Sequence, residues 1–289
     1  MSGQGVVNTV VELGAFESWL TDFDGAWLPE NANEVADRLA DNIETHYGPI
    51  SDLKLSFDIF DTILLRRNTS EAERFFDVAA EFKKALKKRK ISQMDVFLAR
   101  LRSHNLSYQC TAHKDMTPEA SIRGMFEGML TTLGLPNKYI DTLLDVETVY
   151  ETDMLYANPF LEVFLKKYYK GKTVQLISDM YLTHDQIDAL VRHHWPKLKY
   201  TLDVSGTHNL SKRNGSLYDE LLQKNKQKPH KILHMGDSLH SDVQMAKLHK
   251  VKALHLCVPR AIVQERKELK MAFEDKFNSE FGLELSDLK

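Results

Sequence analysis

The feature that most constrains the fold is a regular alternation of short apolar runs and amphipathic segments after Pro159. Such alternation is typical of a parallel sheet covered by helices on both faces. An earlier apolar run, residues 53–60, fits one more buried parallel strand. We therefore predict a three-layer, doubly wound (Rossmann-like) α/β core. The other predicted strands are residues 173–178, 200–206, 231–236 and 253–258, and the helices between them are 160–169, 183–194, 215–227 and 241–249.

The sequence changes character between the first apolar run and the second. From about residue 70 to 155 it shows helical periodicity and almost no strand pattern. Ser70 and Glu73 have the spacing of a capping box, and Thr117 with Pro118 fits the start of a helix that ends at Gly134. An all-helical module inserted into the α/β core is therefore expected.

These patterns divide the chain into four parts. We predict an N-terminal helical extension, a core in two segments, a helical cap between those segments, and a charged amphipathic C-terminal helix. The corresponding ranges are 1–50 for the extension, 51–68 and 157–258 for the core, 69–156 for the cap and 259–289 for the last helix.

Composition excludes several classes of protein. Hydrophobic residues make up 43% of the 289 residues and charged residues 27%, so the chain can bury a sizeable core. The net charge of −3 offers no basic excess for nucleic acid, and no apolar run is long enough to span a membrane. Two distant cysteines, Cys110 and Cys257, and a start without secretory character favour a cytoplasmic protein. The oligomeric state stays open.

Polar residues follow four of the predicted strands. In an open parallel sheet, ligands bind beyond the carboxyl ends of the strands, so these side chains should meet at one pocket. Paired carboxylates suit a hard ion such as Mg²⁺, while a lysine and a hydroxyl suit a phosphoryl group. The residues concerned are Asp58, Asp61, Thr62, Ser178, Asp179, Lys212, Asp237, Ser238 and Asp242.

Four short motifs in this set resemble those of the haloacid-dehalogenase (HAD) superfamily. FDIFDTILLR (57–66) resembles the first motif and LISDMYLT (176–183) the second. Lys212 corresponds to the third, and GDSLHSD (236–242) is similar to the fourth. All four occur in order after successive strands, over residues 53–258. The exact first motif is similar to that of a bacterial branch of predicted hydrolases, sometimes found near polysaccharide genes.

The resemblance implies a magnesium-dependent phosphohydrolase that acts on a small phosphate monoester. Asp58 would attack phosphorus and form an aspartyl phosphate, and the helical insertion would close over the site as a cap. The phosphoryl oxygens would be bound by Thr62, Ser178 and Lys212. The implied Mg²⁺ ligands are Asp58, the main-chain carbonyl of Phe60 and Asp237, with Asp242 as a further ligand or as a residue that orients the ligands.

One position departs from the pattern of most superfamily phosphatases. They carry a second aspartate two residues after the nucleophile as general acid and base, and this chain has Phe60 there. Because such proton transfer is worth about 10²–10⁴-fold in rate, its loss predicts a slow phosphatase or another proton donor. Asp61 lies one residue further. We expect it to face away from the pocket or cap the turn, since consecutive side chains of an extended segment point to opposite sides.

Several alternatives stay open. The site would suit a phosphotyrosine phosphatase if the cap left it open, and Phe60 is compatible with a catalytically weak binding or regulatory domain. Dehalogenases of the superfamily also lack the second aspartate, but they need no metal, so Asp237 and Asp242 favour phosphoryl chemistry. Arg66 and Arg67 are within reach of a substrate anion, although surface arginines are commoner. Ser238 we interpret as a helix cap.

Overall fold

The computed structural model describes residues 14–110, 120–208, 210–225 and 228–288, with a five-stranded parallel sheet at the centre. The strand order is β5-β4-β1-β6-β7, and a separate antiparallel pair joins β2 to β3. This confirms the predicted doubly wound α/β fold. The strands are β1 (Lys54–Phe57), β2 (Leu64–Arg66), β3 (Leu155–Ala157), β4 (Val174–Ser178), β5 (Tyr200–Val204), β6 (Ile232–Gly236) and β7 (Lys252–His255).

The α-helices occupy the connections between these strands and both ends of the described chain. A six-residue π-helical turn, Leu239–Gln244, leads into α11. The helices are α1 (Ala15–Asp22), α2 (Ala32–Tyr47), α3 (Glu71–Leu86), α4 (Gln93–Cys110), α5 (Ile122–Thr132), α6 (Ile140–Met154), α7 (Pro159–Tyr168), α8 (His184–His194), α9 (Ser205–His208), α10 (Ser216–Asn225), α11 (Met245–Leu248) and α12 (Arg260–Phe281). No described helix is both long and apolar enough to cross a bilayer.

Two apolar clusters, one on each face of the sheet, explain the three layers. Along β6, Leu233 and Met235 belong to the cluster that contains residues of α2, α7 and α8. Ile232, one residue away and on the opposite face, belongs to the cluster of α10 and α11. Because both faces are covered, the strands are apolar almost without interruption, which made them recognisable in the sequence.

The local signals for helix starts are confirmed where the structure describes them. Ser70 and Glu73 form the predicted capping box of α3, and Thr183 and Gln186 form one at α8. Helix α5 begins after Ser121, whose hydroxyl accepts a hydrogen bond from the backbone of Gly124. Thr117 and Pro118, the predicted start of that helix, lie outside the described residues.

Helices α3 to α6 form the predicted insertion, which we call the cap. The pair β2–β3 joins it to the core and was not predicted, because strands of three residues are too short to show a period. Asn158 fastens this junction: its backbone N donates to the Ile63 carbonyl at 2.9 Å, and its Nδ2 donates to the Thr62 carbonyl at 2.8 Å. The four-part division of the chain stays a prediction.

The C-terminal helix α12 contacts the N-terminal helix α1, the core and the cap. At its start, Arg260 forms an ion pair with Asp22 of α1, at 2.8 Å, and further on Arg266 forms one with Asp61 of the core, at 2.7 Å. Near its end, Phe277 is 2% exposed and packs against Phe76 of α3 and Phe97 of α4, with ring centroids 6.1 and 5.5 Å apart. This aromatic cluster fastens the helix to the cap.

All five predicted strands are shorter in the structure, and three of them end before their predicted last residue. The first ends at Phe57 instead of residue 60, and the chain then turns, with Asp61 in a left-handed conformation (φ 54°). The strand predicted at 200–206 ends at Val204, after which α9 begins, and the one predicted at 253–258 ends at His255. The first correction matters for the site, since the residues after Asp58 form a tight turn.

Candidate active site

A cavity of about 460 Å³ lies beyond the carboxyl ends of β1, β4 and β6. Asp58, Ser178, Lys212 and Asp237 all line it, which confirms the prediction that they surround one pocket. Its other lining residues are Phe60, Asp61, Arg66, Glu71, Arg74, His104, Tyr108, Asp179, Met180, Tyr181, Arg213, Ser238, Ser241 and Asp242.

Lys212 joins the two most buried carboxylates of the cavity. Its Nζ lies 2.5 Å from Oδ1 of Asp58 and 2.6 Å from Oδ1 of Asp242. The lysine side chain is only 3% exposed, so water screens neither contact. The ammonium group therefore holds Asp58 through one oxygen and leaves the other oxygen to face the cavity.

Asp242 is held in place from three directions. Besides Lys212, it accepts a hydrogen bond from the backbone N of Ser238 at 3.0 Å and lies 3.2 Å from Nε2 of His234. The other ring nitrogen of His234 is 2.9 Å from the hydroxyl of Ser56. Gly236 leaves room for this arrangement, since a Cβ there would come within 2.4 Å of the Asp242 carboxyl.

Asp179 positions the loop that carries Lys212. Its two carboxylate oxygens accept hydrogen bonds from the backbone N of Lys212 at 2.8 Å and of Arg213 at 3.1 Å. Sequence reasoning assigned Asp179 no role of its own and did not single out His234. The available signals were an acidic residue directly after a strand and a histidine inside an otherwise apolar one.

Asp58, Asp237 and Asp242 offer one oxygen each within 4.8 Å of one another. Two oxygens bound to one Mg²⁺ lie at most about 4.2 Å apart, since Mg–O distances are about 2.1 Å. Small side-chain movements would therefore bring the three carboxylates into coordination distance. Lys212 balances only part of their charge, and a divalent cation would balance the rest. The donor set thus fits Mg²⁺.

The pKa directions reflect this crowding of negative charge. Burial, with Asp242 and Asp237 nearby, raises the pKa of Asp58 well above its usual value despite the attraction of Lys212. Burial and the charge of Asp242 raise the pKa of Asp237 to about 7. Burial also acts to raise the pKa of Asp242, but Lys212 and His234 outweigh it and hold that pKa below its usual range. The site is therefore short of positive charge around Asp58 and Asp237.

Asp61 was expected to face away from the pocket or to cap the turn. The first of these expectations is wrong, because Asp61 lines the cavity, with a left-handed backbone conformation in the turn after β1. Its carboxylate accepts two hydrogen bonds from the guanidinium of Arg266 in α12, at 2.7 and 2.8 Å. The carboxylate that follows Phe60 in the sequence is thus held by an arginine of the C-terminal helix.

The other predicted site residues differ in their placement. Phe60 lines the cavity, and Ser178, 1% exposed, lines it beside Asp179. Thr62 does not line it: the residue is fully buried, and its hydroxyl has no hydrogen-bond partner among the described residues. Ser238 accepts a hydrogen bond from the backbone N of Ser241, which confirms its interpretation as a cap. The catalytic roles of Thr62 and Ser178 stay predictions.

The strand β2 and the cap also contribute polar side chains to the cavity. Arg66 of β2, which the sequence favoured as a surface arginine, is 11% exposed there, whereas Arg67 lies exposed at the surface. Arg74 of α3 joins Arg66 in the lining, and both contact the carboxylate of Glu151 in α6. The cavity therefore has an acidic wall from the core and an arginine-containing wall from β2 and α3.

Comparisons with known proteins find only distant likenesses. No family model and no curated protein matches the chain. Among solved structures, the chain is similar to the HAD-hydrolase YfnB from Bacillus subtilis bound to magnesium, with 16% identity, a TM-score of 0.43, and 70% of this chain and 86% of that chain covered. It is also similar to L-2-haloacid dehalogenase from Xanthobacter autotrophicus with chloropropionic acid covalently bound, with 14% identity, a TM-score of 0.42, and 70% of this chain and 76% of that chain covered. A third similar structure is 2-haloacid dehalogenase from Pseudomonas syringae pv. tomato, with 16% identity, a TM-score of 0.45, and 70% of this chain and 86% of that chain covered. Likenesses this distant do not show what this chain binds or does.

Proposed function

We propose that this chain is a HAD-type hydrolase that cleaves a small phosphate monoester, with Asp58 as nucleophile and Mg²⁺ as cofactor. The observation that carries the proposal is the placement of Asp58 in a cavity at the carboxyl edge of the sheet, fastened to Lys212 beside Asp237 and Asp242. Three of the four sequence motifs supply these residues.

Asp58 would carry the covalent step. The carboxylate oxygen that does not contact Lys212 attacks phosphorus, the ester P–O bond breaks, and the alcohol leaves with the bonding electron pair and takes up a proton. Water then attacks the phosphorus of the aspartyl phosphate, which releases inorganic phosphate and restores the Asp58 carboxylate. Two easier displacements replace one difficult displacement.

The other residues would hold charge in place during both displacements. Lys212 keeps Asp58 oriented, and its ammonium faces the site where negative charge builds up on the phosphoryl oxygens. Asp58, Asp237 and Asp242 would bind the Mg²⁺ ion, with the Phe60 carbonyl as a predicted fourth ligand. Bound there, the ion would neutralise phosphate charge as a Lewis acid. Ser178 would donate a hydrogen bond to a phosphoryl oxygen.

Phe60 favours a second candidate function, dehalogenation of a haloacid. Position 60 carries no carboxylic acid to protonate an alkoxide leaving group, whereas a halide leaves without a proton. The excess of carboxylates around Lys212 weighs against this candidate, because a nucleophilic displacement without metal gains nothing from Asp237.

The experiment that separates these functions measures product release with and without metal. We expect the purified protein to release phosphate from p-nitrophenyl phosphate in millimolar MgCl₂ and to stop in excess chelator. A panel of sugar phosphates, nucleotides and phosphotyrosine peptides would then define the substrate class. Chloride release from 2-chloropropionate in chelator, without any phosphate release in Mg²⁺, would overturn the proposal in favour of dehalogenation.

A further inference from the structure

Two arginines of the cavity's cap side are not explained by phosphoryl chemistry. Arg66 is the last residue of β2 and Arg74 lies in α3, and their side chains are only 11% and 15% exposed. Both line the same cavity as Asp58 and Lys212. Removing a guanidinium from water is costly unless partners satisfy its donors and charge, so the partners of these two side chains matter.

Glu151 is the carboxylate that both arginines contact. Its oxygens lie 2.6 Å from Arg66 and 3.5 Å from Arg74, and its side chain is 3% exposed. Each guanidinium carries five N–H donors, so one carboxylate cannot satisfy two of them. Among the described residues, two positive charges therefore share one buried negative charge. Glu71 also lines the cavity, but it is exposed and its charge is screened by water.

A neighbouring buried arginine of the cap has a carboxylate partner of its own. Arg100 is fully buried, has its own carboxylate in Glu147 at 3.3 Å, and lies within 5.4 Å of the rings of Phe126 and Tyr181. Its charge is balanced one to one. The pair formed by Arg66 and Arg74 is not balanced in this way, and unlike Arg100 both of these arginines reach the cavity.

Further polar groups continue this wall. His104, Tyr108 and Tyr181 line the cavity next to the arginines. The buried Nδ1 of His104 has no hydrogen-bond partner among the described residues. A cavity of about 460 Å³ falls in the size range of small-molecule sites, roughly 300–1,000 Å³. One small ligand would therefore meet both the acidic wall and the arginine wall.

We propose that Arg66 and Arg74 bind a second anionic group of the substrate, a carboxylate or a second phosphate, while its scissile phosphate lies at Asp58. This deepens the proposed function and rests on it. Glu151 would hold both guanidinium groups from behind, and their remaining N–H donors would bind the anion in the planar, two-pronged manner that suits carboxylate and phosphate. The substrate class is thus a small phosphate ester with two acidic groups.

The test compares esters that share a carbon skeleton. Glycerol 3-phosphate carries a hydroxymethyl group where 3-phosphoglycerate carries a carboxylate, and glycerol 1,3-bisphosphate carries a second phosphate ester at the same end without any carboxylate. We expect kcat/KM to be about tenfold or more higher for one or both of the doubly acidic esters than for glycerol 3-phosphate. Which of the two is preferred tells a carboxylate site from a phosphate site.

Substitutions of the two arginines then test whether they cause the preference for a doubly acidic ester. Arg66→Gln and Arg74→Gln should each reduce it about tenfold, mainly through KM, and Arg74→Lys should restore part of it. The matched control is Arg123→Gln, which removes an exposed cap arginine paired with Asp141 and should leave the preference unchanged. Thermal unfolding checks that each variant is folded.

Binding to the Asp58→Asn protein separates failure of this inference from failure of the proposed function. Calorimetry of the same three esters in Mg²⁺ needs no turnover, so a preference for a doubly acidic ester would support the arginine site even if no ester were hydrolysed. Equal affinity for all three esters, or a preference that survives both glutamine variants, would overturn the inference.

Discussion

At the scale of single residues, the chemistry of the site depends on Lys212 and the carboxylates that it joins. The lysine contacts Asp58 and Asp242 and keeps both in one position. Its ammonium group thus joins the turn after β1 to the turn after β6, and its backbone N is held by Asp179 at the end of β4. Single substitutions here should therefore affect activity far more than folding.

Asp58→Asn should reduce turnover by roughly 10⁴-fold or more, because an amide is a poor nucleophile and cannot bind the metal by charge. The protein should remain folded, and without metal it should unfold at the same temperature or a higher one, since a crowded buried charge has been removed. The measurement is steady-state hydrolysis of an aryl phosphate beside a thermal melt. The control Asp52→Asn changes an exposed aspartate and should leave the rate unchanged. Unaltered hydrolysis in Asp58→Asn would contradict the mechanism.

Phe60→Asp should restore a proton donor beside the leaving group. Alkyl phosphates, whose leaving groups need a proton, should gain about tenfold or more, and aryl phosphates should gain less than about threefold. The quantity to compare is the ratio of the two rates at fixed pH and Mg²⁺. Phe60→Asn is the matched control, because it has the same shape without the acid. Equal wild-type rates on both classes, with no gain in the aspartate variant, would mean that another residue already donates the proton.

His104 makes folding sensitive to acid. Burial, with a contribution from the charge of Arg100, lowers its pKa from 6.5 to about 4. Below pH 6.5 this histidine binds a proton in the unfolded chain but stays neutral in the folded chain, so stability is lost as the pH falls toward 4. Because the ring is only partly buried, we expect the free energy of unfolding to fall by roughly 1–2 kcal/mol over this range. His104→Phe keeps an aromatic ring but cannot bind a proton, so the free energy of urea unfolding should depend less on pH in this variant. The same pH dependence in wild type and variant would contradict the assignment.

At the scale of elements, α12 is the part of the molecule that fastens the cap to the core. Its Arg266 binds Asp61 in the turn after β1 and lies 5.6 Å from the ring of Trp27. Three turns further on, its aromatic side chains pack on the cap. The helix thus contacts the turn that follows the nucleophile and the module that closes over it.

Phe277→Ala should lower the free energy of unfolding by about 3–5 kcal/mol, because it leaves a cavity among Phe76, Phe97 and the neighbouring rings of α12. Denaturant unfolding of wild type and variant gives the difference. Phe281→Ala is the matched control: because this ring is 40% exposed, its removal should lower the free energy of unfolding clearly less. Equal losses for the two variants would show that the cluster does not fasten α12 to the cap.

At the scale of the whole molecule, metal binding should be visible as stability. An ion that binds only the folded chain stabilises it by about 2.7 kcal/mol at a hundred times its Kd. We therefore expect MgCl₂ to raise the Tm of wild type and to have much less effect on Asp237→Asn, which lacks one proposed ligand. Glu280→Gln, an exposed carboxylate far along α12, should respond like wild type. The same Mg²⁺ response in all three proteins would contradict the proposed metal site.

Periodicity along the chain was enough to predict the sheet, the crossover helices and the helical insertion. Strands that are buried on both faces are mostly apolar. A capping box such as Ser70 with Glu73 can be recognised from four consecutive residues. The sequence also predicted that four side chains meet at one pocket, because the carboxyl ends of parallel strands share one edge of the sheet; these are Asp58, Ser178, Lys212 and Asp237. All of these features depend on neighbours in sequence or on one topological rule.

Only the tertiary structure showed what depends on distant partners. The sequence placed Asp61 in the turn after the first strand, but only the fold shows its left-handed conformation and its hydrogen bonds to Arg266, 205 residues away. Likewise, nothing in the order of residues indicates that Arg66 and Arg74 share Glu151. The physical reason is that side-chain pairing across elements is set by how the elements pack, whereas helix and strand patterns are set by the period of the backbone.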